Sequence, residues 1–269
     1  MIPAAITLTI AALAGLAAGS FATVAIARWP RGGRVTRPRR SRCDHCGSPV
    51  RAADNVPVIS WLLLRGRCRA CGTDIGLTEP VVELVTALLF VSTVVRWGNS
   101  PVVLALLVLM WALVVASAID LRHQIIPNRL TFPLPFVLLA TLVAARVMGA
   151  NDVQIWRGLV YAVVVPGAMF AVSWLFARVR GQPGIGLGDV KFAVSIALVL
   201  GALGGGYVIV FAYVAIFTAV AVALALIAAR RAGLASRIPF GPYLAFGAVA
   251  AVLVGDVLIA AGQRVLLGT

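Results

Sequence analysis

The chain has 269 residues, of which 61% are hydrophobic and only 12% are charged, and its mean hydropathy is +1.02. This composition excludes a soluble globular domain and predicts a protein that crosses a membrane several times. The net charge of +14 would suggest nucleic-acid binding in a soluble protein, but an excess of Lys and Arg in cytoplasmic loops explains it better here.

Apolar stretches long enough to cross a bilayer, which takes about 20 residues, predict an all-α polytopic membrane protein with about eight transmembrane helices. The stretches lie near 4–27, 79–96, 101–119, 130–148, 158–177, 190–204, 206–229 and 242–263. When alternate loops are assigned to the cytoplasm, starting after the first helix, nearly all Lys and Arg fall on that side. Only Arg96, Arg146, Arg157 and Arg264 fall on the other side. Both termini are then outside.

The first helix is expected to enter the membrane with its amino end outside and to stay uncleaved. A secretory signal carries positive charge before its apolar core, whereas the first basic residue here, Arg28, follows that core. An arginine-rich run at 31–42 comes next. We interpret this run as a determinant of topology that contacts anionic lipid headgroups, and nucleic acid is not an expected partner.

The polar region 28–78 contains all four cysteines of the chain. They form two Cys-x-x-Cys pairs: Cys43 and Cys46, then Cys68 and Cys71. Two thiolate pairs of this kind can wrap one tetrahedral zinc ion, and a structural disulfide is disfavoured in the reducing cytosol. A redox dithiol or unmetallated thiols are the alternatives. His45 is interpreted as a solvated loop residue, since four cysteines complete the ligand shell.

Two of the nine carboxylates, Asp120 and Asp189, stand at the edges of apolar stretches, both on the cytoplasmic side of the predicted topology. Ionisable groups at membrane depth are costly and usually functional. Two carboxylates that share one proton can activate water and protonate a leaving amine. We interpret the two residues as the catalytic pair of a membrane aspartyl protease. From spacing alone, they could also be the cation or proton ligands of a transporter.

Motifs along nearly the whole chain resemble, in order, those of bacterial prepilin peptidases, the type IV leader peptidases. The segment 120–128, which begins Asp120-Leu121-Arg122, resembles the first catalytic motif of that family. The segment 186–191, which contains Gly186-Leu187-Gly188-Asp189, resembles the second, of GxGD type. The other matching segments are 15–30, 54–71, 79–84 and 239–243. One departure is Ala22-Thr23, where the family more often has a larger apolar residue and Asn.

The resemblance implies an enzyme that cleaves the leader peptide of type IV prepilins or pseudopilins after a Gly, at the cytoplasmic membrane face. It also implies N-methylation of the new terminal residue with S-adenosylmethionine, and a peptidase without that second activity is the alternative. We expect a first transmembrane helix at 1–27, a cytoplasmic four-cysteine zinc loop at 28–78 and a seven-helix peptidase core at 79–269. A further alternative is a non-catalytic scaffold for pilus assembly. Its function would not depend on the two aspartates and would be retained when both are replaced.

Four further residues are candidates for substrate binding. Gly186 and Gly188 would let the backbone approach an extended substrate strand without Cβ interference. Lys191 could contact substrate, pair with Asp189 or mark the membrane boundary by snorkelling. Glu83 lies one turn inside the second predicted helix, where the cost of a carboxylate argues for a role. That role is binding the substrate or the methyl donor, or pairing with an Arg.

Overall fold

The computed structural model of the protein describes residues 3–37, 40–98, 100–181, 184–231 and 239–267. Within these ranges the chain is built from α-helices, with three isolated β-bridges and no strand. The helices are α1 (Ala4–Arg28), α2 (Ile59–Leu63), α3 (Thr78–Trp97), α4 (Val103–His123), α5 (Asn128–Thr131), α6 (Leu134–Val147), α7 (Ile155–Arg180), α8 (Leu187–Leu203), α9 (Gly205–Ala228) and α10 (Gly241–Leu267). The predicted all-α architecture is confirmed.

Seven helical segments among the described residues are long and apolar enough to cross a membrane. They are α1, α3, α4, the pair α5–α6, α7, α9 and α10. The remaining predicted span, near 190–204, forms α8, whose 17 residues are at the short end of the length that crosses the hydrocarbon. The chain is therefore a multi-pass membrane protein.

The fourth predicted span, near 130–148, is divided into α5 and α6 at Phe132 and Pro133. Pro133 stands directly before α6, and a second proline, Pro135, occupies its first turn. Proline is tolerated at a helix start because the amide that it lacks has no partner there. The two prolines therefore begin a new helix after the single turn of α5.

The chain divides into two compact units, Met1–Gly98 and Asn99–Thr269. In the first unit α1 packs along α3. A Cβ added at Gly15 would lie 2.5 Å from Ala87 Cα, and one at Gly19 would lie 2.6 Å from Glu83 Cα. Glycines four residues apart allow two membrane helices to approach closely, so this pair brings the backbone of α1 against α3.

In the second unit α8 is the central helix, and it packs against α4, α6, α7, α9 and α10. Its residues from Ser195 to Ala202 are all buried. The closest approach is to α7, where a Cβ added at Gly158 would lie 2.5 Å from the carbonyl oxygen of Leu198. Helix α8 is therefore enclosed along its carboxyl half, while Leu187 at its amino end is exposed.

Candidate active site and metal centre

Asp120 lies in the last turn of α4, and its side chain is only 4% exposed. Its Oδ2 accepts a hydrogen bond of 2.8 Å from the backbone amide of Gly241, the first residue of α10. A Cβ at Gly241 would lie 2.8 Å from the same oxygen, so a glycine is needed for this approach. The helix ends just beyond, where Gln124 adopts a left-handed conformation with φ of 52°.

Asp189 lies in the first turn of α8 and is also buried. A carboxylate at this position is stabilised by the positive end of the helix dipole. Its Oδ1 is buried without a hydrogen-bond partner. Gly186 caps the helix, and a Cβ there would lie 2.9 Å from Asp189 Oδ2. An unpaired buried oxygen is costly, which is expected for an atom whose partner is a substrate, a water molecule or a shared proton.

The structure brings the two aspartates into one site within the second unit. Helices α4 and α8 pack on each other, and the carboxyl groups of Asp120 and Asp189 are close enough for their charges to interact. Two carboxylates that lie close together in a buried site can share one proton. In such a pair the proton affinities belong to both groups together, and we assign neither residue as the acid or the base.

The two glycines before Asp189 have structural partners of their own. The space that a Cβ would occupy at Gly188 is taken by Ile126, whose Cβ and backbone nitrogen would lie 3.3 Å away. Gly188 thus lets the segment after α4 lie against the start of α8, while Gly186 makes room for the carboxylate of Asp189. Their contact with substrate stays a prediction.

Lys191 joins α8 to α5. Its Nζ donates a hydrogen bond of 3.0 Å to Asn128 Oδ1 and lies 5.2 Å from the centre of the Phe132 ring. An ammonium held over an aromatic face gains a cation–π interaction. The residue therefore ties the segment after Asp120 to the helix that carries Asp189, and its binding of substrate stays a prediction.

The four cysteines meet at one point of the first unit. Their Sγ atoms all lie within 4.8 Å of one another, and those of Cys43 and Cys71 are 3.9 Å apart. Tetrahedral zinc with Zn–S bonds of about 2.3 Å requires neighbouring sulfurs about 3.8 Å apart. The donor set and spacing therefore fit zinc, and the prediction that four cysteines could hold a metal is confirmed.

Both Cys-x-x-Cys segments fold in the same way. The amide of Gly47 donates to the carbonyl of Cys43, and that of Gly72 donates to the carbonyl of Cys68, both at 2.9 Å. Each glycine has a φ of 70°, a conformation that glycine adopts without strain. Two equivalent turns thus present two thiols each, as a zinc knuckle requires.

Local hydrogen bonds favour the thiolate form of Cys71 and fix the position of the second cysteine pair. Hydrogen bonds with the Thr73 hydroxyl and backbone lower the pKa of Cys71 to about 6, which favours the thiolate that binds metals. Arg69 holds Asp54 through its Nε and Nη2 atoms, with a shortest distance of 2.6 Å. This hydrogen-bonded ion pair lowers the pKa of Asp54 and fixes the second knuckle to the 3₁₀ turn at Ala52–Asn55.

Glu83 has a partner that the sequence does not indicate. Its Oε2 accepts a hydrogen bond of 2.8 Å from the backbone amide of Val58, and the side chain is buried. Val58 has φ of 59° and ψ of −47°, while the amide of Ile59 donates to the carbonyl of Pro57 at 2.6 Å. This is the rare, strained form of the γ-turn. No sequence signal predicts it, because β-branched residues avoid positive φ.

Comparison with known proteins supports the resemblance to the prepilin peptidases. The model of the bacterial peptidase A24 N-terminal domain matches residues 13–97, and that of the type IV leader peptidase family matches residues 107–229. The chain is similar to proteins named prepilin leader peptidase/N-methyltransferase. In Stutzerimonas stutzeri the identity is 37% over 82% of this chain and 73% of the relative. In Pseudomonas putida the identity is 35% over 96% of this chain and 94% of the relative.

A third relative with that name, from Aeromonas hydrophila, is 35% identical over 81% of this chain and 72% of its own length. The comparison with solved structures gives no match. The order of the two matched domains along the chain agrees with the order of the zinc loop and the aspartate pair described above. The chain belongs to the type IV leader peptidase family.

Proposed function

We propose that this chain is a membrane aspartic endopeptidase that removes the leader peptide of type IV prepilins or pseudopilins at the cytoplasmic face of the inner membrane. We propose further that it N-methylates the residue that cleavage exposes. The family and the names of the relatives support both activities. The observation that carries the peptidase proposal is the unpaired, buried Oδ1 of Asp189 beside the carboxylate of Asp120.

The chemistry follows from a pair of carboxylates with one proton between them. The ionised member takes a proton from a water molecule, whose oxygen attacks the carbonyl carbon of the scissile peptide. The protonated member donates its proton to the departing amine as the C–N bond breaks. Throughout this sequence the amide of Gly241 holds Asp120 Oδ2 in place, so the carboxylate does not have to reorient during the reaction.

The charge distribution in the second unit supports a cytoplasmic position for this site. The carboxyl end of α4 and the amino ends of α8 and α10 carry the site. Arg122, Arg129 and Lys191 lie at that end, whereas Arg146 and Arg157 lie near the other ends of α6 and α7. An excess of basic residues marks the cytoplasmic side of a membrane protein. Prepilins would therefore present their leaders from the cytoplasm.

Zinc is the metal that we propose for Cys43, Cys46, Cys68 and Cys71. A closed site of four thiolates supplies folding free energy to a small loop and leaves no open position for chemistry. The ion would therefore hold the two knuckles together. The methyl donor follows from the relatives' name, and we assign no residue of this chain to it. The basic run at 31–42 would contact anionic lipid rather than basic leader peptides, because like charges repel.

The proposal is tested with the full-length protein in liposomes, a synthetic peptide that spans a prepilin cleavage site, and S-adenosylmethionine. Mass spectrometry should show loss of the leader and gain of one methyl group on the new amino terminus. A peptide with the Gly before the cleavage site replaced by a bulky residue is the control and should stay intact. Cleavage without the methyl group would support the peptidase-only alternative. Ion flux without cleavage would support a transporter that uses the same aspartates.

A further inference from the structure

A buried serine of α7 holds the backbone just before the GxGD segment. The hydroxyl of Ser173 donates a hydrogen bond of 2.9 Å to the carbonyl oxygen of Ile185 and accepts one of 3.1 Å from the amide of the same residue. One side chain thus satisfies both polar backbone groups of Ile185. This residue lies in the connection between α7 and α8, directly before Gly186, which caps α8.

The burial of Ser173 sets it apart on its own helix. Helix α7 is largely exposed along its 26 residues, and Ser173 is one of three that are buried, with Gly158 and Pro166. Ile185 is not helical, so its amide and carbonyl have no helical partner. Irregular backbone at membrane depth needs its hydrogen bonds supplied by neighbouring protein or by water. Ser173 supplies both from the face of α7 that is turned inward.

The same connection is held against α7 at a second point. A Cβ added at Gly184 would lie 3.1 Å from the ring of Phe176, which is almost one helical turn beyond Ser173. Gly184 therefore lies close against that ring, and Ile185 is bonded to the serine. The two contacts fix consecutive residues of the connection onto consecutive turns of one helix.

The position of Asp189 depends on this attachment. Gly186 follows Ile185 and has φ of −66° and ψ of 140°, the extended conformation from which α8 begins. Asp189 is the third residue of that helix, so a shift at Ile185 changes where the first turn points its side chain. Its Oδ1 has no hydrogen-bond partner of its own. Its Oδ2 lies beside Gly186, the residue after Ile185. The carboxylate is therefore positioned by the backbone that Ser173 holds.

We propose that Ser173 is a positioning residue for peptide cleavage, which sets the place of Asp189 by clamping the backbone of Ile185. The inference rests on the proposed peptidase function. Ser173 lies outside the matched catalytic motifs at 120–128 and 186–191 and acts only through the connection. Its removal should therefore affect the chemical step and leave the binding of the prepilin unchanged.

The test compares kcat and KM for prepilin cleavage in liposomes for wild type, Ser173→Ala and Ser173→Thr. Small displacements of catalytic groups cost about tenfold to a hundredfold in rate. We expect Ser173→Ala to lower kcat by about tenfold or more with KM within about twofold of wild type. Ser173→Thr keeps the hydroxyl and should recover most of the rate. Thr218→Ala is the control, since that hydroxyl bonds only within its own helix, at 2.7 Å to the Val214 carbonyl.

A Ser173→Ala protein with the kcat of wild type overturns the inference, as does one whose only change is a higher KM. If wild type itself fails to cleave, it is the proposed function that fails. If Ser173→Ala does not fold, Gly184→Ala tests the same connection at its second contact, because the added Cβ would lie 3.1 Å from the Phe176 ring and either the ring or the connection must shift slightly. A lower kcat that Phe176→Ala restores in the double variant supports the inference, and an unchanged kcat in Gly184→Ala overturns it.

Discussion

The backbone amide of Gly241 donates a buried hydrogen bond of 2.8 Å to Oδ2 of Asp120, across 121 positions of the chain. The bond joins the carboxyl end of α4 to the amino end of α10. The first turn of α10, which follows Phe240, is therefore part of the aspartate site. The free amides at a helix start are good partners for a carboxylate, so α10 both orients Asp120 and stabilises its charge.

Replacing Gly241 by Ala should reduce cleavage without unfolding the protein. The added Cβ would lie 2.8 Å from Asp120 Oδ2 and 3.1 Å from its Cβ, which displaces the carboxylate. We expect kcat to fall by about a hundredfold, the usual effect of moving a catalytic group by about 1 Å. Gly262→Ala on the same helix is the matched control, because a Cβ there would meet no atom within 4 Å. Equal kcat values for the two variants would contradict this role of Gly241.

Changing all four cysteines to Ser should abolish metal binding. Elemental analysis of the purified wild type should give one zinc ion per chain, since the four Sγ atoms form a single cluster. His45→Ala is the control and should keep its zinc. Retained cleavage together with lost methylation in the variant with four serines would assign the loop to the second activity. Unchanged methylation in this zinc-free variant would refute that assignment.

Glu83→Ala should release the loop around Val58. The substitution removes the acceptor of the Val58 amide, which is held at 2.8 Å, and the strained turn at Val58 loses the contact that maintains it. We expect faster amide hydrogen exchange at Val58 and Ile59, measured by mass spectrometry. Glu83→Gln keeps an acceptor oxygen and should exchange like wild type. Identical protection of Val58 in Glu83→Ala would show that the turn is maintained by other contacts.

The proposed orientation predicts which face of the membrane exposes the cysteines. All four lie in one loop, and after zinc removal they should react with a membrane-impermeant maleimide only in inverted vesicles. In a cysteine-free background, Asp152→Cys places a thiol in the exposed turn before α7, and that thiol should react only in right-side-out vesicles. Labelling in the reverse pattern would place the aspartate site outside the cytoplasm.

The sequence indicates the membrane spans and the candidate ligands because both depend on composition and local spacing. A window of about 20 apolar residues identifies a span whatever its neighbours are, and two Cys-x-x-Cys pairs identify a metal site. The exception is α8, whose central position no hydropathy pattern shows. Its near-complete burial arises from the helices around it.

The contacts that shape the aspartate site could not be predicted in this way. Gly188 indicates a close approach of some group, but the sequence does not show that Ile126 is one of its neighbours, 3.3 Å from the position of an added Cβ. The bond from Gly241 to Asp120 and the clamp of Ser173 on Ile185 use backbone groups, and every residue except proline has both the amide and the carbonyl. Side-chain type therefore gives no signal for them, and only the packing of distant helices determines which amide meets which oxygen.

The central claim is that Asp120 and Asp189 form one catalytic pair, and isosteric substitution tests it most directly. Prepilin cleavage would be followed by mass spectrometry in membranes that contain wild type, Asp120→Asn or Asp189→Asn at matched amounts. Loss of general acid–base chemistry costs about a hundredfold or more, so either variant should leave the leader attached while its zinc content stays that of wild type. Leader removal at the wild-type rate by both variants would show that these carboxylates are not the catalysts.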